Sequence, residues 1–564
     1  MSYRARHARL ATPVSLEVRS GTLPPGARPS DKPRRGHSVL ARGRRELLTG
    51  ERAFWAWRAR MAVACRLALR RHVTPAIEVQ PNPPPTPGLQ RSPRLDRIGT
   101  PLLLVGAAGF AAALARVGLH TAGPSFLTRM FDLGSFRDAG LIVRHAFHFP
   151  SGQPKPLYQW IPRGGANPFI YPPFAAGIFA ALSYISLRVL AWCMTAASFA
   201  ALLAAVWMTL DGLGVPKSRA RTGAALAVSA VALWTQPVQS TLDLGQINLL
   251  LMAAIIWDLR PRPASLRAAS QAGRDDRARG SPWWTGALTG VAAGVRLTPL
   301  IFIPYLLVTR KFRQAAVAAG AFVATVGIGF AVIAGPSATY WQTGLIERAN
   351  GTHRPHAGFF FAAAWNQSLR GYFSRLAAHA PPALIPWLIM AGLTAAIGLT
   401  CAAWLHRDGY PMLGLLTCAL TGLLISPVSW VHHWVWVAPW LAAIAAMALL
   451  APGASRRIWL AIAGWITLVF VNWPPLPVLT GARHGMNAVA DVPVKQPLSW
   501  HGPQVFAGNI YLYSGAAGLI ALYLWSVLRA LRQSEVLAVM RQRGAVPWAA
   551  PDVETIPRTM SHRE

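Results

Sequence analysis

The stretch VLAWCMTAASFAALLAAVWMTL, residues 189–210, runs for 22 residues without a charged side chain. Coiled as a helix it would be about 33 Å long, enough to cross the roughly 30 Å hydrocarbon core of a bilayer. Working outward, further apolar segments recur at 101–119, 170–186, 223–235, 247–259, 284–308, 314–334, 383–404, 410–425, 434–451, 458–471 and 506–528. Helices are the fitting element, because a lipid-embedded backbone must satisfy its own hydrogen bonds. The pattern predicts an all-α polytopic integral membrane protein with about ten to twelve transmembrane segments.

Composition agrees. Of 564 residues, 53% are hydrophobic and 13% charged. A soluble domain carries about 25% charged residues, so a soluble enzyme is excluded for lack of a polar shell. The mean hydropathy of +0.33 also excludes general disorder. The formal charge is +35. The basic residues gather in the N-terminal region and in short breaks between apolar runs, as in cytoplasmic loops. That distribution argues against a nucleic-acid partner. The four cysteines, Cys65, Cys193, Cys401 and Cys418, show no metal-ligand spacing.

Three regions follow. Residues 1–98 read as a basic Pro- and Arg-rich cytoplasmic tail, since PNPPPTP at 81–87 suits neither helix nor sheet. Residues 99–530 are the multi-span domain, and 531–564 a cytoplasmic C-terminal tail. The basic tail, the Arg260–Arg279 loop, Arg310, Lys311, Arg313, Arg456, Arg457, Arg529 and Arg532 mark the inside face. Both termini are therefore expected in the cytoplasm. Segment 284–308 is expected to be broken by Pro299 and Pro304. Segment 170–186 is expected to insert only partly, because a full crossing would place Lys217, Arg219 and Arg221 outside. Segments 120–169, 236–246, 335–382, 426–433 and 472–505 then face outward, and they hold the unusual polar residues.

Six motifs stand there or at the adjoining span ends. FDLGSFRDAG (131–140) puts Asp132 just after the first span, where desolvation can raise a carboxyl pKa and make a general base. A solvated loop acid or helix cap is the plainer reading. NPFIYPPF (167–174) offers Tyr171 at a helix entry. TLDLGQIN (241–248) gathers Asp243, Gln246 and Asn248 at a span mouth, as functional groups or as helix-packing groups. GVRLTP (294–299) holds Arg296 inside an apolar segment; it must pair with an acid, meet an anion such as a lipid phosphate, or snorkel. WNQSLRG (365–371) carries Asn366, Gln367 and Arg370, suited to a polyhydroxylated ligand. SPVSWVHHWVW (426–436) carries His432 and His433 among tryptophans. Adjacent histidines diverge on a helix, so sugar or phosphate binding suits them better than a shared metal. There is no HExxH, P-loop, GxSxG or kinase motif set.

In order, these six motifs resemble the polyprenol-phosphate-mannose-dependent α-(1→2)-mannosyltransferases of actinobacteria, multi-span enzymes of the GT-C fold. Related members transfer arabinofuranose. The resemblance runs over about 100–450. It implies a GT-C-like bundle whose external loops form the active site, and a cell-membrane location. It implies transfer of a sugar, mannose in α-1,2 linkage, from a polyprenyl-phosphate donor to a cell-envelope glycolipid or lipoglycan. Asp132 would be the base of an inverting reaction, with Phe136 as the aromatic that follows it. Arg296, Arg370, His432, His433 and Tyr171 would hold donor phosphate or sugar. Asp243, Gln246, Asn248, Asn366 and Gln367 would orient acceptor or sugar. A phosphate leaving group already carries its charge, so no metal or other cofactor is expected. Arabinofuranosyl transfer, and a lipid or sugar transporter or flippase, are the alternatives.

Overall fold

The computed structural model describes residues 93–122, 126–146, 157–158, 169–261, 281–344, 361–376, 384–451, 453–471, 505–506 and 508–542. All fall in the compact unit Ile77–Glu564. Among them there are helices and isolated bridges but no strand. Residues 1–92 of the expected tail, the basic loop at 262–280 and the segment 472–504 lie outside the described residues.

The helices that matter are α1 (Pro93–Ala122), α2 (Phe131–Ala146), α3 (Pro173–Leu182), α4 (Leu187–Gly212), α5 (Arg219–Trp234), α6 (Gln236–Leu244), α7 (Asn248–Leu259), α8 (Ala287–Val295), α9 (Phe302–Val308), α10 (Phe312–Val332), α11 (Leu369–Leu376), α12 (Leu384–Arg407), α13 (Pro411–Ile425), α14 (Val437–Leu450), α15 (Gly453–Phe470) and α16 (Ile510–Gln542). The apolar run 189–210 is α4. Ser186 opens it by accepting from the Val189 amide at 3.4 Å. Its buried threonines are satisfied locally, Thr195 donating to Ala191 O and Thr209 to Ala205 O. Such internal bonds let a hydroxyl sit in a span without an orphaned donor.

Close approach of α1 and α5 depends on two glycines. A Cβ on Gly106 would stand 2.4 Å from Gly223 O, and one on Gly223 2.5 Å from Leu102 C. Small residues at such a crossing let two backbones meet without a side-chain layer between them.

Among the described residues, six helices are long and apolar enough to cross a membrane: 95–119, 187–212, 312–332, 384–407, 431–450 and 510–531. The bent pair α6–α7 makes a seventh if taken as one span. The expected ten to twelve is therefore not reached by that measure. The difference lies in short apolar helices at 173–182, 298–308 and 411–425, which the sequence shows as apolar runs of similar character. Several apolar helices nonetheless fit a multi-pass membrane protein.

Two helix ends and one cation stand differently from the sequence reading. Helix α1 begins at Pro93, inside the region assigned to the tail. Helix α16 continues to Gln542, so the first part of the expected C-terminal tail extends the last span as a helix. Arg221 is not a loop cation: it is 1% exposed, bridges Asp211 at 2.7 Å, donates to Val215 O and covers the Trp207 ring. An acid ten residues back neutralises it, so it carries little weight as a topology marker.

Segment 284–308 is broken as expected. Helix α8 stops at Val295, Arg296 is extended (φ −150°, ψ 127°), and a 3-10 turn over Thr298–Ile301 leads into α9. Asp258, at the end of α7 and fully buried, accepts from the Gly286 and Thr289 amides and the Thr289 hydroxyl. Gly286, with φ +108°, has no side chain to cap α8. Asp258 supplies the cap and places a carboxylate at the positive end of the helix dipole.

Candidate active site

The site is organised by the corner between α6 and α7. Helix α6 ends at Leu244, and Gly245 adopts the left-handed conformation with φ +68°. The Gly245 amide donates to Leu242 O and the Gln246 amide to Thr241 O, closing the helix end. The chain turns by 115° before α7 starts at Asn248. A Cβ on Gly245 would lie 2.6 Å from Leu133 Cβ, so the corner rests directly on α2. Only glycine meets both requirements.

Asp132 stands in the first turn of α2, half-buried. Its Oδ2 accepts from Gln246 Nε2 at 2.6 Å, and Gln246 Oε1 accepts from the Tyr171 hydroxyl at 2.9 Å. Burial pushes the Asp132 carboxyl up to about 6, against the opposing pulls of the Gln246 hydrogen bond and the Arg296 charge. Burial likewise raises the Tyr171 hydroxyl above its ordinary range. Tyr171 is therefore a neutral donor, and Asp132 a carboxylate whose proton affinity suits a base near neutral pH.

Arg296 faces this pair from the break after α8. Its guanidinium donates to Asn248 Oδ1 and to His433 Nε2, and sits 5.3 Å from the Tyr171 ring centre. Asn248 Nδ2 in turn donates to His432 O at 2.7 Å, and Thr241 Oγ1 reaches the same carbonyl at 3.2 Å. The amide orientation is thus fixed from both sides. Among the described residues no carboxylate oxygen lies within 4.0 Å of Arg296. A cation with neutral partners in a poorly hydrated setting keeps its attraction for an added anion. Beside it opens a cavity of about 60 Å³ whose lining includes Asn248, Arg296 and His433 together with Met252, Phe302 and Trp436.

The structure thus brings together Asp132, Tyr171, Gln246, Asn248, Arg296, His432 and His433, from five separate motifs. Asp243 stays on α6, half-buried, two residues before the Gly245 corner. Asn366 and Gln367, expected to orient acceptor or sugar, make their contacts within the protein. Asn366 is fully buried, and its amide donates to Phe361 O and Pro427 O while accepting from the Ser429 amide and the Ser368 hydroxyl. Gln367 is 3% exposed and donates to Ala364 O and Gly508 O. Their hydrogen-bonding groups turn inward because irregular backbone here needs side-chain partners. They weld 361–376 to the 426–430 segment that leads into His432. Arg370 is 2% exposed, stacked 3.5 Å from the Phe361 ring centre and 4.9 Å from that of Trp387, and is not among the residues lining the Arg296 cavity.

Tyr158 is a contributor that the sequence gives no sign of. Its hydroxyl donates to Tyr171 O at 3.1 Å, and it lies in the aromatic cluster of Phe136, Phe169 and Phe179. Nothing marks a lone tyrosine in a loop. Among the described residues, no three His, Cys, Asp or Glu side chains are placed to hold a metal ion.

Comparison with known proteins meets this geometry. The profile of glycosyltransferase family 87 matches residues 169–427, a range that includes the corner, Arg296 and the approach to the histidines. A Mycobacterium tuberculosis (strain H37Rv) protein is 30% identical over 334 residues, 57% of this chain and 71% of its own length. The chain belongs to glycosyltransferase family 87. That relative is named polyprenol-phosphate-mannose-dependent alpha-(1-2)-phosphatidylinositol mannoside mannosyltransferase. A second, from M. tuberculosis strain CDC 1551, is 38% identical over 54% of this chain. It is named for the corresponding phosphatidylinositol pentamannoside transfer, and the family 87 chain spans 64% of its length. A Mycolicibacterium smegmatis protein of the same name is 32% identical over 54% of this chain and 67% of its own length. No solved structure matches the family 87 chain. Its helices, without strands among the described residues, and its apolar spans agree with a membrane GT-C glycosyltransferase.

Proposed function

We propose that this protein is a membrane mannosyltransferase that uses a polyprenyl-phosphate-mannose donor and a phosphatidylinositol mannoside acceptor at the external face of the cell membrane. The observation that carries the reading is the pairing of Asp132, held by Gln246, with a nearby Arg296 that has no carboxylate partner among the described residues. One group is a base, the other an anion receptor, and glycosyl transfer from a phosphate needs both. The relatives' names supply mannose, the polyprenol carrier and the phosphatidylinositol mannoside class.

In this mechanism the acceptor hydroxyl approaches Asp132 Oδ1, the oxygen that Gln246 leaves open. Its oxygen attacks C1 of the mannose while Asp132 takes the proton. The bond from C1 to the phosphate oxygen breaks on the opposite face, and its electron pair leaves with the lipid phosphate. Arg296 stabilises the charge growing on that phosphate, with His433 steadying the guanidinium. Attack opposite the leaving group inverts the anomeric centre, so a β-linked donor gives an α-product. General-base assistance of this kind contributes typically 10²–10⁴-fold, and a placed cation adds transition-state stabilisation.

The test is direct. Membranes carrying the full chain are incubated with radiolabelled polyprenyl-phosphate mannose or polyprenyl-phosphate arabinofuranose, with phosphatidylinositol mannoside present. Label from the mannose donor in an α-1,2-mannosidase-sensitive glycolipid is the expected result. Label from the arabinose donor alone overturns the sugar. Uptake of donor into vesicles without transfer overturns the enzyme reading in favour of a transporter.

A further inference from the structure

A carboxylate used as a base has two chemically equal oxygens, and in an open site either one can turn toward the substrate. Asp132 does not have that freedom. Gln246 Nε2 engages Oδ2 at 2.6 Å, and no hydrogen bond is made to Oδ1 among the described residues. Gln246 is itself fixed at every level. It is 4% exposed, its amide closes the end of α6, and Gly245 lodges its main chain against Leu133 of the same helix that carries Asp132. Its Oε1 is taken by the Tyr171 hydroxyl, which sets the amide so that the donor end faces Asp132. Tyr171 is 6% exposed, edge-on to Phe136 at 4.9 Å, with its carbonyl held by Tyr158. With both ends of its amide engaged and 4% of its surface exposed, Gln246 is placed to hold Asp132.

We propose that Gln246, held by Tyr171, is a positioning residue for the transfer reaction: it pins one oxygen of Asp132 so that the other alone meets the acceptor hydroxyl. This rests on the reading of Asp132 as the base. The charged and titratable groups around the carboxylate are few. Arg296 faces it from the break after α8, with His433 behind Arg296, and Tyr171 faces it from the entry to α3. On α2 itself Arg137 is turned to Ile185 O, and Asp138, six residues on, lies on another face of the helix. A change at Gln246 therefore reads out through Asp132 with little interference.

The experiment uses the full chain in lipid nanodiscs, with polyprenyl-phosphate mannose and phosphatidylinositol mannoside, and measures kcat and both KM values from pH 5 to 9. Gln246→Met keeps the size and removes the donor. The expected result is a kcat lower by about 10- to 100-fold, with both KM values within about twofold of wild type. The acidic limb of kcat should rise by about one pH unit, because a hydrogen bond to the ionised form has been lost. Tyr171→Phe should move the same limb in the same direction by less. A raised acceptor KM with unchanged kcat would show a substrate contact instead and overturn the proposal. So would a lower melting temperature with an unmoved pH limb, which is the mark of a merely structural amide. Asp132→Asn is run beside them: near wild-type turnover there defeats the base assignment itself, an outcome separate from any result at Gln246.

Discussion

Asp132 and Arg296 carry opposite charges into the same half-buried space without forming an ion pair, and their substitutions should separate two functions. Asp132→Asn keeps size and polarity but cannot accept a proton, so transfer should fall by at least about 10²-fold while donor binding persists in a filter-binding assay. In the wild type, turnover should drop as pH falls through about 6, where Asp132 takes up its proton. The same shift carries a stability signature. The folded-state pKa lies above the ordinary 3.8, so the fold disfavours the ionised form. That cost is absent below about pH 4 and complete above about pH 6 to 7. Asp132→Asn should therefore melt higher than wild type at pH 8, with the gain disappearing toward pH 4. Arg296→Gln should raise donor KM far more than acceptor KM. Arg296→Lys should keep part of the activity, since the charge remains while the fork that engages Asn248 and His433 together is lost. Equal donor affinity in all three proteins would make Arg296 a structural group.

At the scale of elements, the site is assembled from interruptions. The α6–α7 corner, the break after α8 and the 3-10 turn over Val431–Trp436 each stop a helix and turn polar side chains toward one another. Backbone groups freed at such breaks need partners, and the Thr241, Asn248 and His432 contacts supply some of them. Gly245→Ala should lose turnover steeply, because the added methyl meets Leu133 and displaces Gln246. The left-handed backbone alone costs about 1 kcal/mol for a non-glycine residue. Asp258→Ala is the contrast. It removes the cap of α8 and leaves three donors without their acceptor, a loss of about 2–3 kcal/mol. Thermal unfolding should register it clearly. Comparing the specific activity of the folded fraction in the two variants separates a site corner from a structural cap.

For the whole molecule, charge distribution sets the expected orientation: basic loops inside, polar motifs outside. In a chain with its four native cysteines replaced, Ser265→Cys and Gly485→Cys report the two faces. An impermeant thiol reagent on intact cells should label position 485 and spare 265. The reverse pattern would move the chemistry to the cytoplasmic face and with it the source of the lipid-linked donor.

The sequence by itself determined the medium, and the order of its six motifs pointed, by resemblance to a family, to the chemical class. A 22-residue run such as 189–210 has few other fates, and an acid, an arginine and paired histidines at span ends are costly enough to imply use. It also located the break at 284–308, because prolines and an arginine in an apolar segment are local signals. The tertiary structure alone decided which polar groups meet. Asn366 and Gln367 look as ligand-like in sequence as Gln246 and Asn248, yet the first pair hold loops together while the second pair grip Asp132 and Arg296. An amide has the same donors and acceptors wherever it stands, and the partners of these four come from chain segments up to 184 residues away. Span count and helix ends escaped the sequence for a related reason. Hydropathy records how apolar a segment is, whereas the length of a helix follows from where its backbone finds a cap, a corner or a neighbour.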